Sequence, residues 1–171
     1  MLSRIRKIVI SAAALSVLLI AAPFAVGQAP DFSLRAVDGP AVTSESLRGE
    51  VVVLAFGASW LPLTRNQMEG LKKLADQYAA RGVAVYWIST ESDSPKSKNF
   101  VSDEELRDLG RKYKMSILRD PDGPVSRRLA VDQLPATVII NKQGQVAATV
   151  GGLDPSADLA KQLAERLDKI L

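Results

Sequence analysis

The chain has 171 residues, enough for one domain with an N-terminal extension, and a domain of that size buries roughly two-thirds of its unfolded surface. It contains no cysteine and no histidine. Disulfides, thiol nucleophiles, zinc-thiolate sites and imidazole bases are therefore excluded at the level of composition. The formal net charge of +3 is carried by Arg4, Arg6 and Lys7; the rest of the chain is formally neutral, so no attraction to nucleic acid is indicated.

Residues 1–27 follow the order of an export signal. The three basic residues precede an apolar run from Ile8 to Ile20, and the small-residue tail Ala21-Ala22-Pro23-Phe24-Ala25-Val26-Gly27 follows. Cleavage after Gly27 fits the small-x-small pattern of Ala25 and Gly27. Uncleaved, the run Ile8 to Val26 is nearly long enough to span a bilayer. Residues 1–27 are thus expected to be a signal peptide or a membrane anchor, and 28–171 the folded domain, at the periplasm or the periplasmic face of the inner membrane.

The folded part opens with turn residues Pro30, Gly39, Pro40 and Gly49 around extended pieces at Asp31–Leu34 and Ala41–Thr43, which read as a hairpin. Val51–Phe56 follows as an apolar, β-branched run and predicts a buried central strand. It breaks into Gly57-Ala58-Ser59-Trp60-Leu61 before Pro62, a residue suited to the first turn of a helix because its missing N–H has no partner there. That helix is expected to run to about Ala80, with Leu63, Gln67, Gly70, Leu71, Leu74 and Tyr78 inward, and to stop at Arg81-Gly82. Val83–Ser89 reads as a second buried strand, completing a βαβ unit.

Thr90–Asn99 is polar and reads as a solvated loop. Ser102 with Asp103-Glu104-Glu105 predicts the start of a helix running to about Lys114. Ile117-Leu118-Arg119 predicts a short strand before the turn Asp120-Pro121-Asp122-Gly123-Pro124, and Val125–Ala130 one or two helical turns. Ala136–Asn141 and Val146–Val150 form a hairpin around Lys142-Gln143-Gly144-Gln145. A terminal amphipathic helix is expected from Asp154-Pro155 or Pro155-Ser156, with Leu159, Leu163, Leu167 and Ile170 inward.

Ala58-Ser59-Trp60-Leu61-Pro62-Leu63-Thr64 resembles the thioredoxin-superfamily phrase A-x-W-C-P-x-C, with leucine and threonine where the cysteines would stand. Ala29-Pro30-Asp31-Phe32-Ser33-Leu34, Leu47-Arg48-Gly49, Leu118-Arg119-Asp120-Pro121-Asp122-Gly123 and Leu134-Pro135-Ala136-Thr137-Val138-Ile139-Ile140 resemble, in order, phrases of its TlpA/ResA-like and redoxin (AhpC/TSA) branch. The resemblance implies a thioredoxin-like α/β fold: a mostly parallel central sheet, helices on both faces, and a C-terminal β-hairpin plus helix. It also implies a cis Leu134–Pro135 bond opposite the Trp60 loop, with Leu134 placed to hydrogen-bond an extended peptide.

The activity implied by the family is what this sequence lacks. Thiol–disulfide exchange needs an attacking thiolate and a second sulfur, and a peroxidatic redoxin needs a cysteine to oxidise. Leu61 and Thr64 occupy the vestigial CxxC positions, and Ala55 stands where many thioredoxins keep a buried acid. No base in the adjacent sequence would activate the Thr64 hydroxyl. Asp120-Pro121-Asp122-Gly123 has half the spacing of a calcium loop but lacks the bidentate acid that completes one, so neither metal nor cofactor is expected.

With the sulfurs gone, Trp60, Leu61, Pro62 and Leu63 beside Leu134 and Pro135 become candidates for an apolar peptide- or protein-binding surface, or for a repacked relic. Two further readings stay open on sequence. One is an oxidoreductase or peroxiredoxin-type activity retained through a partner-supplied thiol; the other is a structural module of an envelope complex.

Overall fold

The computed structural model describes residues 29–171; the expected export segment and Gln28 lie outside them. Among the described residues no helix is long and apolar enough to cross a membrane. The chain order is β1 Ser33–Ala36, β2 Val42–Thr43, β3 Val51–Gly57, α1 Thr64–Tyr78, β4 Val83–Ser89, α2 Asp103–Tyr113, β5 Ser116–Arg119, α3 Pro124–Arg128, β6 Ala136–Ile140, β7 Val146–Gly151 and α4 Leu159–Leu167.

The strands form one seven-stranded sheet in the order β2-β1-β5-β4-β3-β6-β7. β3 pairs with β4 and β4 with β5 in parallel. All other neighbours are antiparallel, which corrects the expectation of a mostly parallel sheet. Parallel neighbours arise only through the α1 and α2 crossovers; each hairpin places one reversed strand, β6 or β1, against the parallel core.

β3 explains why the fold closes as it does. Every residue of it is buried, and alternate side chains feed two cores. Val51, Val53 and Ala55 pack with Leu71, Leu106 and Leu163 from α1, α2 and α4. Val52, Leu54 and Phe56 face Phe32, Leu47, Val125 and Leu129, the last two around α3. Each such aliphatic or aromatic side chain stabilises the fold by about 1.5–3 kcal/mol on burial. Helices therefore cover both faces, as expected for a thioredoxin-like fold.

Local chemistry sets the ends of the helices. α2 begins in a capping box, where the Ser102 Oγ accepts from Glu105 N–H and the Glu105 carboxylate accepts from Ser102 N–H. α1 starts at Thr64, two residues later than Pro62 suggests, because Leu61 and Leu63 take up a turn in which Leu61 N–H donates to Ala58 C=O. A short 3-10 turn over Ala79–Arg81 then leads to Gly82, whose φ of 73° takes the left-handed form that stops the helix. α4 starts at Leu159 rather than near Pro155. The Asp154 carboxylate instead folds 154–157 into a turn by accepting from Ser156 N–H, and Asp158 caps the helix.

Candidate functional site

The loop leaving β3 and the segment entering β6 meet at the carboxyl end of the parallel strands, the usual place for ligands in such sheets. The Leu134–Pro135 peptide bond is cis, as the resemblance implied. Trp60, Leu61 and Leu134 line one groove of about 500 Å³, together with Asn99, Asp122, Arg127 and Val131. Trp60 is 66% exposed and Leu134 39% exposed, so two large apolar side chains stand open at its mouth.

The remaining expected site residues sit differently. Pro135 is buried, Pro62 is exposed on the outer turn, and Leu63 is half-buried at the cap of α1; none of the three lines the groove. Of the six expected residues the groove thus gathers Trp60, Leu61 and Leu134.

Thr64 is buried, and its hydroxyl donates to the Ala58 carbonyl at 2.6 Å. The same turn brings Thr64 N–H to Leu61 C=O at 3.1 Å. A hydroxyl whose proton is already given to a backbone carbonyl is held as a structural donor rather than a nucleophile. Ala55 is fully buried among apolar neighbours, and Met68 belongs to the same core.

Beneath the loop lies a polar network spanning α1, β3, β4 and β6. Gln67 Oε1 accepts from the Trp87 indole at 2.9 Å, while its Nε2 donates to the Phe56 and Ala136 carbonyls, both at 3.3 Å. Gly57 sits against this network. A Cβ there would meet Gln67 Oε1 at 2.9 Å and the Trp87 ring at 3.0 Å. The end of β3 thus approaches α1 as closely as only glycine permits, and that sets where the loop leaves the sheet.

One polar group escaped the sequence reading. Glu91, taken there as part of a solvated loop, is 1% exposed. Its Oε2 accepts from Ser59 N–H at 2.9 Å and Ser89 Oγ at 3.0 Å, and its Oε1 accepts from Ser59 Oγ at 2.7 Å. Three donors replace the water that burial removes, which is how a carboxylate is tolerated inside. The available signal was position: a single acid two residues past the end of a buried strand. The loop is fastened a second time where the Trp60 indole donates to Asn99 Oδ1 at 2.9 Å.

Residues 26–149 match the model of the AhpC/TSA family. The chain belongs to the AhpC/TSA family. It is 30% identical over 155 residues to the thiol:disulfide interchange protein DsbE of Pseudomonas aeruginosa, covering 90% of this chain and 78% of that one. It is 25% identical over 143 residues to the thiol-disulfide oxidoreductase ResA of Bacillus thuringiensis, covering 84% and 76%. A thioredoxin-like protein of Aeropyrum pernix superposes with a TM-score of 0.66 at 21% identity, covering 82% of this chain and 89% of that one. This AhpC/TSA chain has the thioredoxin-like fold of such relatives and none of the cysteine that thiol–disulfide chemistry requires.

Proposed function

We propose that this chain is an exported, redox-inactive member of its family that binds an extended polypeptide or a partner protein in the Trp60–Leu134 groove, at the outer face of the membrane or in the periplasm. The observation that carries the reading is the pairing of two exposed apolar side chains, Trp60 and Leu134, across a groove whose vestigial CxxC positions hold Leu61 and a Thr64 with a committed hydroxyl. Leucine and tryptophan here offer contact surface in place of a covalent intermediate, and an extended chain beside Leu134 can add backbone hydrogen bonds to that surface. The order of residues 1–27 supports export.

The test has two arms. The purified chain is expected to reduce no disulfide substrate above the buffer rate, and measurable turnover would refute the reading. A photo-reactive residue placed at Leu61 or Leu134 is expected to crosslink an unstructured peptide containing one large apolar side chain, with unlabelled peptide competing. Labelling that competitor does not reduce would remove the support for recognition through this groove.

A further inference from the structure

We propose that Arg119 is a positioning residue for the groove, acting on Trp60 through the strap of residues 90–101. A cation stands at a buried strand end, a place that ordinarily takes an apolar side chain. Arg119 ends β5 and is 2% exposed, and a guanidinium so placed persists only when neighbouring acceptors satisfy it.

Those acceptors come from the two stems of the strap. Both Nη atoms reach the Val101 carbonyl at 3.1 Å, and Nη2 reaches the Ser92 carbonyl at 3.1 Å and that of Glu91 at 3.5 Å. Nη1 also pairs at 2.7 Å with Asp103, which begins α2 directly after the strap and pairs in turn with Arg35. Among the described residues Nε has no hydrogen-bond partner, so the fork is used at its far end, where one side chain spans two chain segments.

Between the stems the chain runs outward and returns, closed by Ser92 N–H to Asn99 C=O at 2.8 Å and Val101 N–H to Ser92 C=O at 3.2 Å. Asn99 carries the acceptor for the Trp60 indole, and Glu91, in the first stem, carries the acceptors for Ser59. Both grips on the Ser59-Trp60 loop therefore lie on the segment that Arg119 ties. Without the fork, the Val101 carbonyl loses its buried donor and the Ser92 carbonyl keeps only Val101 N–H, so the stems are held by their two backbone bonds alone and Asn99 meets Trp60 in a less fixed place. The functional consequence rests on the groove reading; the positioning of Trp60 does not.

The test reads the indole itself. The chain has two tryptophans, Trp60 and Trp87, whose side-chain N–H signals are told apart in a nitrogen–proton spectrum by the Trp60→Phe variant. In Asn99→Ala and in Arg119→Met the Trp60 indole is expected to exchange with solvent roughly fivefold faster, the factor one exposed hydrogen bond confers, and to shift in the same direction in both. The Trp87 signal, held by Gln67, should stay in place in both. Should Arg119→Met fail to fold, Arg119→Lys gives the reading, since it keeps the charge but not the two-armed fork. An unchanged Trp60 indole in a folded Arg119 variant overturns the proposal. No peptide enters this measurement, so a groove that binds nothing would refute the proposed function and leave this result standing.

Discussion

Ser59 and Glu91, 32 residues apart in the chain, are joined by two hydrogen bonds in which one carboxylate takes both the backbone N–H and the hydroxyl of the serine. The loop that presents Trp60 is thereby anchored just past the end of β4, through an acid whose carboxylate is held by serine donors. Such a carboxylate depends on its donors, because burial has removed the water that would otherwise solvate it.

Glu91→Gln preserves the volume and replaces one acceptor oxygen by an amide that opposes a Ser59 or Ser89 donor. The substitution is expected to lower stability by about 1–3 kcal/mol, the usual cost of leaving a buried polar group unmatched. Urea unfolding followed by tryptophan fluorescence measures it; equal midpoints for the two proteins would show that the contact is not needed for stability.

Gly57→Ala pushes a methyl group into Gln67 Oε1 and the Trp87 ring, both held by their mutual hydrogen bond. A loss of about 1–3 kcal/mol is expected from overpacking. Combining it with Gln67→Ala should cost less than the sum of the two single changes, because the second substitution makes room for the first. Strict additivity in a double-mutant cycle would contradict the packing described.

Asp103 governs an acid-dependent part of stability. Its hydrogen bond from Arg35 first, and then that from Arg119, hold its carboxyl down to about 2, against 3.8 for the free group, although partial burial pulls the other way. A depressed carboxylate stabilises the fold fully above the unfolded value, and that contribution disappears as pH falls through the folded one. Stability should therefore drop between about pH 4 and about pH 2, by about 1 kcal/mol from this group once solvent screening of a half-exposed pair is allowed for. Asp103→Asn should flatten that part of the curve. A slope unchanged in the variant would place the dependence elsewhere.

Trp60→Ala separates binding from folding. The side chain is largely in solvent, so its removal is expected to change stability by under about 1 kcal/mol while weakening any peptide bound in the groove by tenfold or more. Calorimetric titration with an apolar unstructured peptide, alongside thermal unfolding, gives both numbers. Unaltered affinity would move the binding surface away from this loop.

Most of the fold was legible because its elements carry strong local patterns. Val83–Ser89 reads as a strand from its apolar, β-branched composition, and Ser102 with Glu105 carries the capping signal of α2; both lie where the sequence places them. The start of α4 was misjudged because Asp154 and Asp158 are both plausible caps, and only the 154–157 turn decides between them. The division of residues 60–63 between groove and outer turn has a similar origin. Residues 60–63 read as one continuous run, but the turn before α1 sends Trp60 and Leu61 into the groove and Pro62 out to solvent.

The absence of cysteine was decided by sequence alone, and with it the loss of any thiol chemistry in this chain, since a reaction cannot outlive the atom it runs on. Membership of the family was equally visible in the order of its phrases. What the tertiary structure decided was the fate of the polar residues: Glu91 lies in a stretch that reads as a solvated loop, Arg119 ends a strand whose sequence leaves its cation unplaced, and both are buried in the fold. A charge can be buried only where donors or acceptors are brought to it, and here all but the Ser89 hydroxyl arrive from 16 to 32 residues away. Local pattern records which side chains avoid water; which charges find partners inside is settled only when distant segments meet.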